Sequence, residues 1–182
     1  MGCKHLKADY AGSDIITKEI EITPDTSAYA DGDCIGGIQT LTDVFSDGES
    51  VHLLGGTLWE KKGSGSLITA NIEVYFLNKI ITLADNAAFT INGASLSPFD
   101  VATITQYTAG SYLTLETNFA INQEMQRRSF SMDTLDFTKI PITKKSTEES
   151  NSLWLILTNN NGGNITYTSG AKLYLQLHFQ RN

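Results

Sequence analysis

"AKLYLQLHF", Ala171–Phe179, alternates without a break. Leu173, Leu175, Leu177 and Phe179 fall on one face of a strand, and Tyr174, Gln176 and His178 on the other. Such a strand covers a core with one side and meets solvent with the other, as antiparallel sheets do. The same period recurs towards the N-terminus. In "ANIEVYFLN" Ile72, Val74 and Phe76 alternate with Glu73 and Tyr75. In "IITKEIEI" Ile16, Ile20 and Ile22 share a face with Lys18 interposed, opposite Thr17, Glu19 and Glu21. Pro24 ends that run, having no N–H for a ladder. "SLWLILTN", Ser152–Asn159, is apolar on both faces and predicts a central strand covered on both sides.

Further strand candidates are "SVHLLGGTLWEKK", "VATITQY", "SYLTLETNFAI" and "TLDFTKIPI". Turn signals separate them. Asp31–Gly32 suits a tight turn. Gly36–Gly37 suits a bulge or a close backbone approach, and Gly55–Gly56 a kink or bulge. "GSGS", Gly63–Ser66, reads as a flexible hairpin turn, and "NNNGGN" as a turn-rich loop. The best short-helix candidate is "NQEMQRRSF". Many short strands with Gly, Asn and Asp turns predict an all-β protein, a single jelly-roll-like β-sandwich over residues 15–182 behind an N-terminal arm at 1–14.

With 182 residues the chain is long enough to bury one good core without a disulfide or metal staple. Charged residues are 18% of it and the net charge is −7, a balance that repels phosphate and argues against general nucleic-acid binding. Lys4 and Lys7, Arg127–Arg128 and Lys144–Lys145 read as solvated surface. The cysteines are Cys3 and Cys34, without Cys-x-x-Cys spacing, secretory leader or long apolar run. The expectation is a soluble chain with two free thiols, made in a reducing cytoplasm and away from membranes. "MGCKHL" has Leu6 where a myristoylation signal has Ser or Thr.

Chemistry-bearing residues are sparse. His5, His52 and His178 lack metal-ligand spacing and read as isolated surface or hydrogen-bonded histidines. Cys34 reads as a small buried residue beside a glycine pair. Asp31/Asp33, Asp43/Asp47 and Glu148–Glu149 are carboxylate pairs of the kind a glycosidase or a calcium site uses. A glycosidase, however, needs two carboxylates set across a sugar bond, and "DVFSDGES", Asp43–Ser50, lacks the alternating ligands and terminal Glu of an EF-hand and reads as a solvated turn. In "ITLADNAAFTI", Ile81–Ile91, Asp85 has the side chain of a helix N-cap, and with Asn86 it reads as a structural corner. The expectation is no catalytic residue, no metal and no cofactor.

Three stretches in order resemble the small virion proteins of tailed bacteriophages known as head decoration or auxiliary capsid proteins. "ITPDTSAYADGDCIGGIQTL", Ile22–Leu41, looks like the family's opening Tyr-x-x-Gly-Asp-x-Ile-Gly-Gly strand and turn. "GTLWEKKGSGSLITANIEVYFLN", Gly56–Asn78, looks like its paired central strands with a charged hairpin. "ITLADNAAFTINGASL", Ile81–Leu96, looks like its Thr-x-x-Asp-Asn-Ala-Ala corner. The resemblance covers roughly the first half of the chain. It implies a jelly-roll-like fold and a structural, non-enzymatic role at the capsid surface, assembled in the host cytoplasm. The implied partners are the major capsid protein or other virion proteins, with homo-oligomerisation, a trimer matching local threefold positions. The alternative is a carbohydrate- or receptor-binding sandwich of a fibre, spike or collar, with Trp59, Trp154 and exposed tyrosines stacking on sugars. Trp154, flanked by apolar residues, reads as core.

Overall fold

The computed structural model describes residues 15–45, 50–68, 70–77, 113–115, 119–120, 123–131, 140–143 and 151–181. All regular structure in them is β. One antiparallel sheet contains β1 (Ile15–Ile22), β4 (Ser50–Lys61), β7 (Phe119–Ala120), β8 (Met125–Ser131), β9 (Ile140–Thr143) and β12 (Lys172–Arg181), in the order β1-β12-β4-β8-β7 with β9 also on β4. The other contains β3 (Cys34–Leu41), β5 (Ile72–Leu77), β6 (Leu113–Leu115) and β10 (Leu153–Asn159), in the order β3-β10-β5-β6. A short pair, β2 (Ala28–Tyr29) with β11 (Ile165–Thr166), closes one corner.

The sheets face each other across one core. Leu173, Leu175, Leu177 and Phe179 of β12, with Val51, Leu53 and Leu58 of β4, meet Ile72, Val74 and Phe76 of β5 and Leu153, Leu155 and Leu157 of β10. Each is buried, and full burial of such a side chain stabilises by about 1.5–3 kcal/mol. The molecule is thus an all-β sandwich, as the alternation predicts.

β10 is buried at every position. Its odd-numbered residues face the core, and Trp154 and Ile156 form a second cluster with Cys34 and Leu77 on the opposite face. Trp154 is a core residue, 7% exposed, and Cys34 is a buried thiol.

The glycines do both things their pairing suggests. β10 pairs with β3 in a register that passes from Ile156↔Ile38 to Leu157↔Ile35, leaving Gly36 and Gly37 as the bulge. Both have positive φ, 79° and 72°. A β-carbon on Gly36 would run into the Ile22 side chain, so β1 and β3 approach closely there. In β4 the irregularity lies beside Gly55, where the register to β12 skips Leu54. There β4 also changes neighbours, pairing with β9 before that point and with β8 after it.

Two local expectations are corrected. "NQEMQRRSF" forms no helix: β8 pairs through Met125–Ser131 with Gly55–Lys61 of β4, and ladder pairing overrides a weak local preference. "GSGS" is not a hairpin, because β4 and β5 belong to different sheets. It is a docked crossing: Ser64 N–H donates to Ser169 O (3.0 Å) and Gly65 N–H to Thr168 Oγ1 (2.9 Å). The Asp85–Asn86 corner, "VATITQY" and the arm at 1–14 lie outside the described residues.

Candidate functional site

The first motif of the resemblance folds into a braced corner. Asp33 is buried, and its Oδ2 accepts the Ala30 N–H at 2.7 Å. Asn159, at the end of β10, exchanges backbone hydrogen bonds with this turn: Gly32 N–H donates to Asn159 O (2.7 Å) and Asn159 N–H to Asp33 O (3.0 Å). The Asn159 amide donates to the carbonyls of Tyr29, Ala30 and Gly163 at 2.8–3.0 Å. Asp31 accepts the Gly162 N–H at 2.8 Å. Tyr29 stacks edge-on against Tyr167, with centroids 6.0 Å apart. The Asp31 side chain and the Asn159 amide therefore hold "NNNGGN" to the Asp31–Gly32 turn, and the Asp33 side chain closes that turn on itself. Asp33 Oδ1 is buried without a hydrogen-bond partner among the described residues.

A second buried polar brace sits at the far end of β4. Glu60 accepts the Ile68 N–H (2.9 Å) and the Gln126 amide (2.6 Å), and that amide also donates to Ile68 O (2.5 Å). Both side chains point inward, opposite each other across β4 and β8, and tie the inter-sheet crossing to the six-stranded sheet.

The histidines lie apart from these corners. His178, half-buried on the outer face of β12, has Nδ1 3.0 Å from Thr17 Oγ1 of β1. His52 lies on β4, opposite Gln180. Asp43, at φ 53°, and Val44 offer carbonyls to the Arg181 guanidinium. Among the described residues no group of three or more His, Cys, Asp or Glu is placed to hold a metal ion. His5, Cys3, Asp47 and Glu148–Glu149 fall outside the described residues.

On the outer face of the six-stranded sheet aromatic and polar side chains converge on a groove. Register places Glu21, Tyr174, Trp59 and Arg127 in one row across β1, β12, β4 and β8, and Glu19, Gln176 and Thr57 in the next. Directly opposite residues stand about 4.5–5.5 Å apart at Cβ, so Trp59 and Tyr174 are neighbours. A groove of about 320 Å³ is lined by Trp59, Tyr174, Gln176, Glu19 and Met125. The Arg127 guanidinium carbon lies 6.0 Å from the Trp59 ring centre, within cation–π range. The Gln176 amide reaches Glu19 at 3.4 Å. At one end Lys172 pairs with Glu21 at 2.6 Å, and this partner, with a hydrogen bond from Tyr174, holds the Glu21 carboxyl below its ordinary range. Alternation alone puts Tyr174 and Gln176 outward. It does not put them beside Trp59, which needs the β4–β12 register, and Met125 was hidden in the helix candidate.

No protein-family model and no curated protein matches the chain. Among solved structures it is similar to a chain of the Israeli acute paralysis virus full particle heated to 63 degrees, at 9% identity over 93% of this chain and 72% of that one, with a TM-score of 0.33. It is similar to a chain of the Triatoma virus empty capsid at 10% identity over 93% and 87%, TM-score 0.32. For Desmodium yellow mottle tymovirus the figures are 9%, 93% and 87%, TM-score 0.30.

Proposed function

We propose that this chain is a structural protein of a virion, a decoration or auxiliary protein of the tailed-bacteriophage type bound to the capsid shell. The observation that carries the reading is the use of the buried polar side chains. Asp33, Asn159, Glu60 and Gln126 all satisfy backbone groups or one another at the corners of the sandwich. The two buried carboxylates, Asp33 and Glu60, each accept a backbone N–H and so brace the chain where it turns or crosses between sheets. The residues of the first resembling motif have the same character: Tyr29, Gly32, Asp33, Ile35, Gly36 and Gly37 build a turn, a bulge and a core contact. A chain that invests its polar residues in a rigid sandwich suits a part repeated on a lattice, where many weak contacts add.

The test is composition. Virions purified from cells that carry the gene in its own genome are digested and quantified by mass spectrometry. The expected result is a copy number commensurate with the shell lattice. Absence from particles, or a handful of copies, overturns the decoration role. Sedimentation of the isolated chain then measures the oligomer, for which a trimer is expected from the threefold positions of such a lattice.

A further inference from the structure

The groove on the outer face of the six-stranded sheet takes no part in the core, and a structural role leaves it unused. Its floor is Trp59 and Tyr174, paired directly across β4 and β12. Around them stand a carboxylate, Glu19, a primary amide, Gln176, and a guanidinium, Arg127, at 6.0 Å from the Trp59 ring. We propose that this groove binds a neutral saccharide.

The chemistry of the lining selects that class. A pyranose ring presents axial C–H groups, apolar and slightly positive, which fit the electron-rich face of an indole or phenol. Its equatorial hydroxyls both donate and accept. Glu19 only accepts, Arg127 only donates, and the Gln176 amide does both, so the rim can meet hydroxyls in either sense. Acidic groups, Glu19 and Glu21, and basic ones, Arg127, Lys172 and Lys61, both stand around the floor, Glu21 being paired with Lys172, and a net charge of −7 disfavours an acidic sugar. The volume, about 320 Å³, falls at the small end of ligand sites. The proposal stands independently of the virion reading.

The experiment titrates the full-length chain with cellohexaose, maltohexaose and N-acetylchitohexaose by isothermal calorimetry. Tryptophan emission is followed in parallel. Trp154 is buried on the other sheet, so a saccharide-induced change in emission reports on Trp59. Saturable binding of at least one hexasaccharide with a change in emission is expected. Trp59→Ala is expected to weaken it about tenfold and Gln176→Ala about threefold, with Trp59→Phe falling between wild type and Trp59→Ala. Circular dichroism melts of each variant confirm that the sandwich is intact. Absence of binding for all three sugars overturns the proposal. So does binding that a folded Trp59→Ala leaves unchanged, or a concentration-dependent dimer that Trp59→Ala dissolves, which would make the groove a contact between copies.

Discussion

Gly36 shows how much one residue can carry. Its φ of 79° lies where an L side chain is strained by roughly 1–2 kcal/mol, and the space its β-carbon would enter is held by Ile22. Gly162 is at a similar φ, 67°, yet its β-carbon would meet nothing within 4 Å. Backbone strain is common to the two sites, and the clash is confined to one. Gly36→Ala is therefore expected to lower stability by about 2–4 kcal/mol, adding overpacking to strain. Gly162→Ala should cost about 1 kcal/mol. Urea unfolding of both variants separates the terms, and equal losses would show that Ile22 moves aside freely. The sequence makes the glycine pair visible as an irregularity, because two adjacent glycines inside an apolar run have few other uses. It does not reveal Ile22, since the contact joins β1 to β3 of the facing sheet.

At the scale of strands, the outer row across β1 and β12 sets a pH dependence. Glu21 lies opposite Tyr174, next to Lys172, whose ammonium is 2.6 Å from its carboxylate and also donates to Thr23 at 2.7 Å. The Glu21 carboxyl is thereby held below its ordinary value of 4.5. A group with a lowered folded-state pKa contributes stability that is fully present above the ordinary value and is lost as pH falls through the lowered one. The pair is solvent-exposed, so its contribution is small and salt-sensitive. Lys172→Met should return the Glu21 carboxyl towards 4.5, read by NMR titration of its side-chain carbon. An unchanged midpoint would assign the shift to Tyr174 instead. The strands that alternate cleanly, β1, β5 and β12, were legible one by one, because period two is a local property. β8 was not. Its run of polar residues has no apolar face to betray it, and its place is fixed by pairing with β4, where Gln126 meets Glu60. The crossing at "GSGS" misled for a related reason: glycine and serine mark a change of direction but not whether the chain returns to the same sheet.

For the whole molecule, the open question of physics is whether the sandwich stands without the segment that precedes it. β1 starts at Ile15 and pairs along its full length with β12, from Ile15↔Gln180 to Ile22↔Leu173. Its inward row, Ile16, Lys18, Ile20 and Ile22, packs towards the core, and the half-buried Lys18 in that row is the kind of charge that keeps an edge strand from pairing with another chain. The groove lies on the same sheet, and its aromatic pair became visible only once β4 and β12 were in register; the residues were legible and their meeting was not, because register is set by the bulge beside Gly55 and by packing on both faces. The preceding residues, 1–14, carry Lys4 and Lys7 against Asp9 and Asp14, a formal balance of zero on a chain of net charge −7. The lack of a sustained apolar period gives this segment little to bury on its own. Deleting residues 2–14 is therefore expected to leave a soluble β-protein whose urea midpoint moves little, while, on the proposed virion role, incorporation into particles falls sharply. Full incorporation of the folded truncation would place the docking surface on the sandwich itself, and loss of folding would show that β1 depends on the arm for more than its connection.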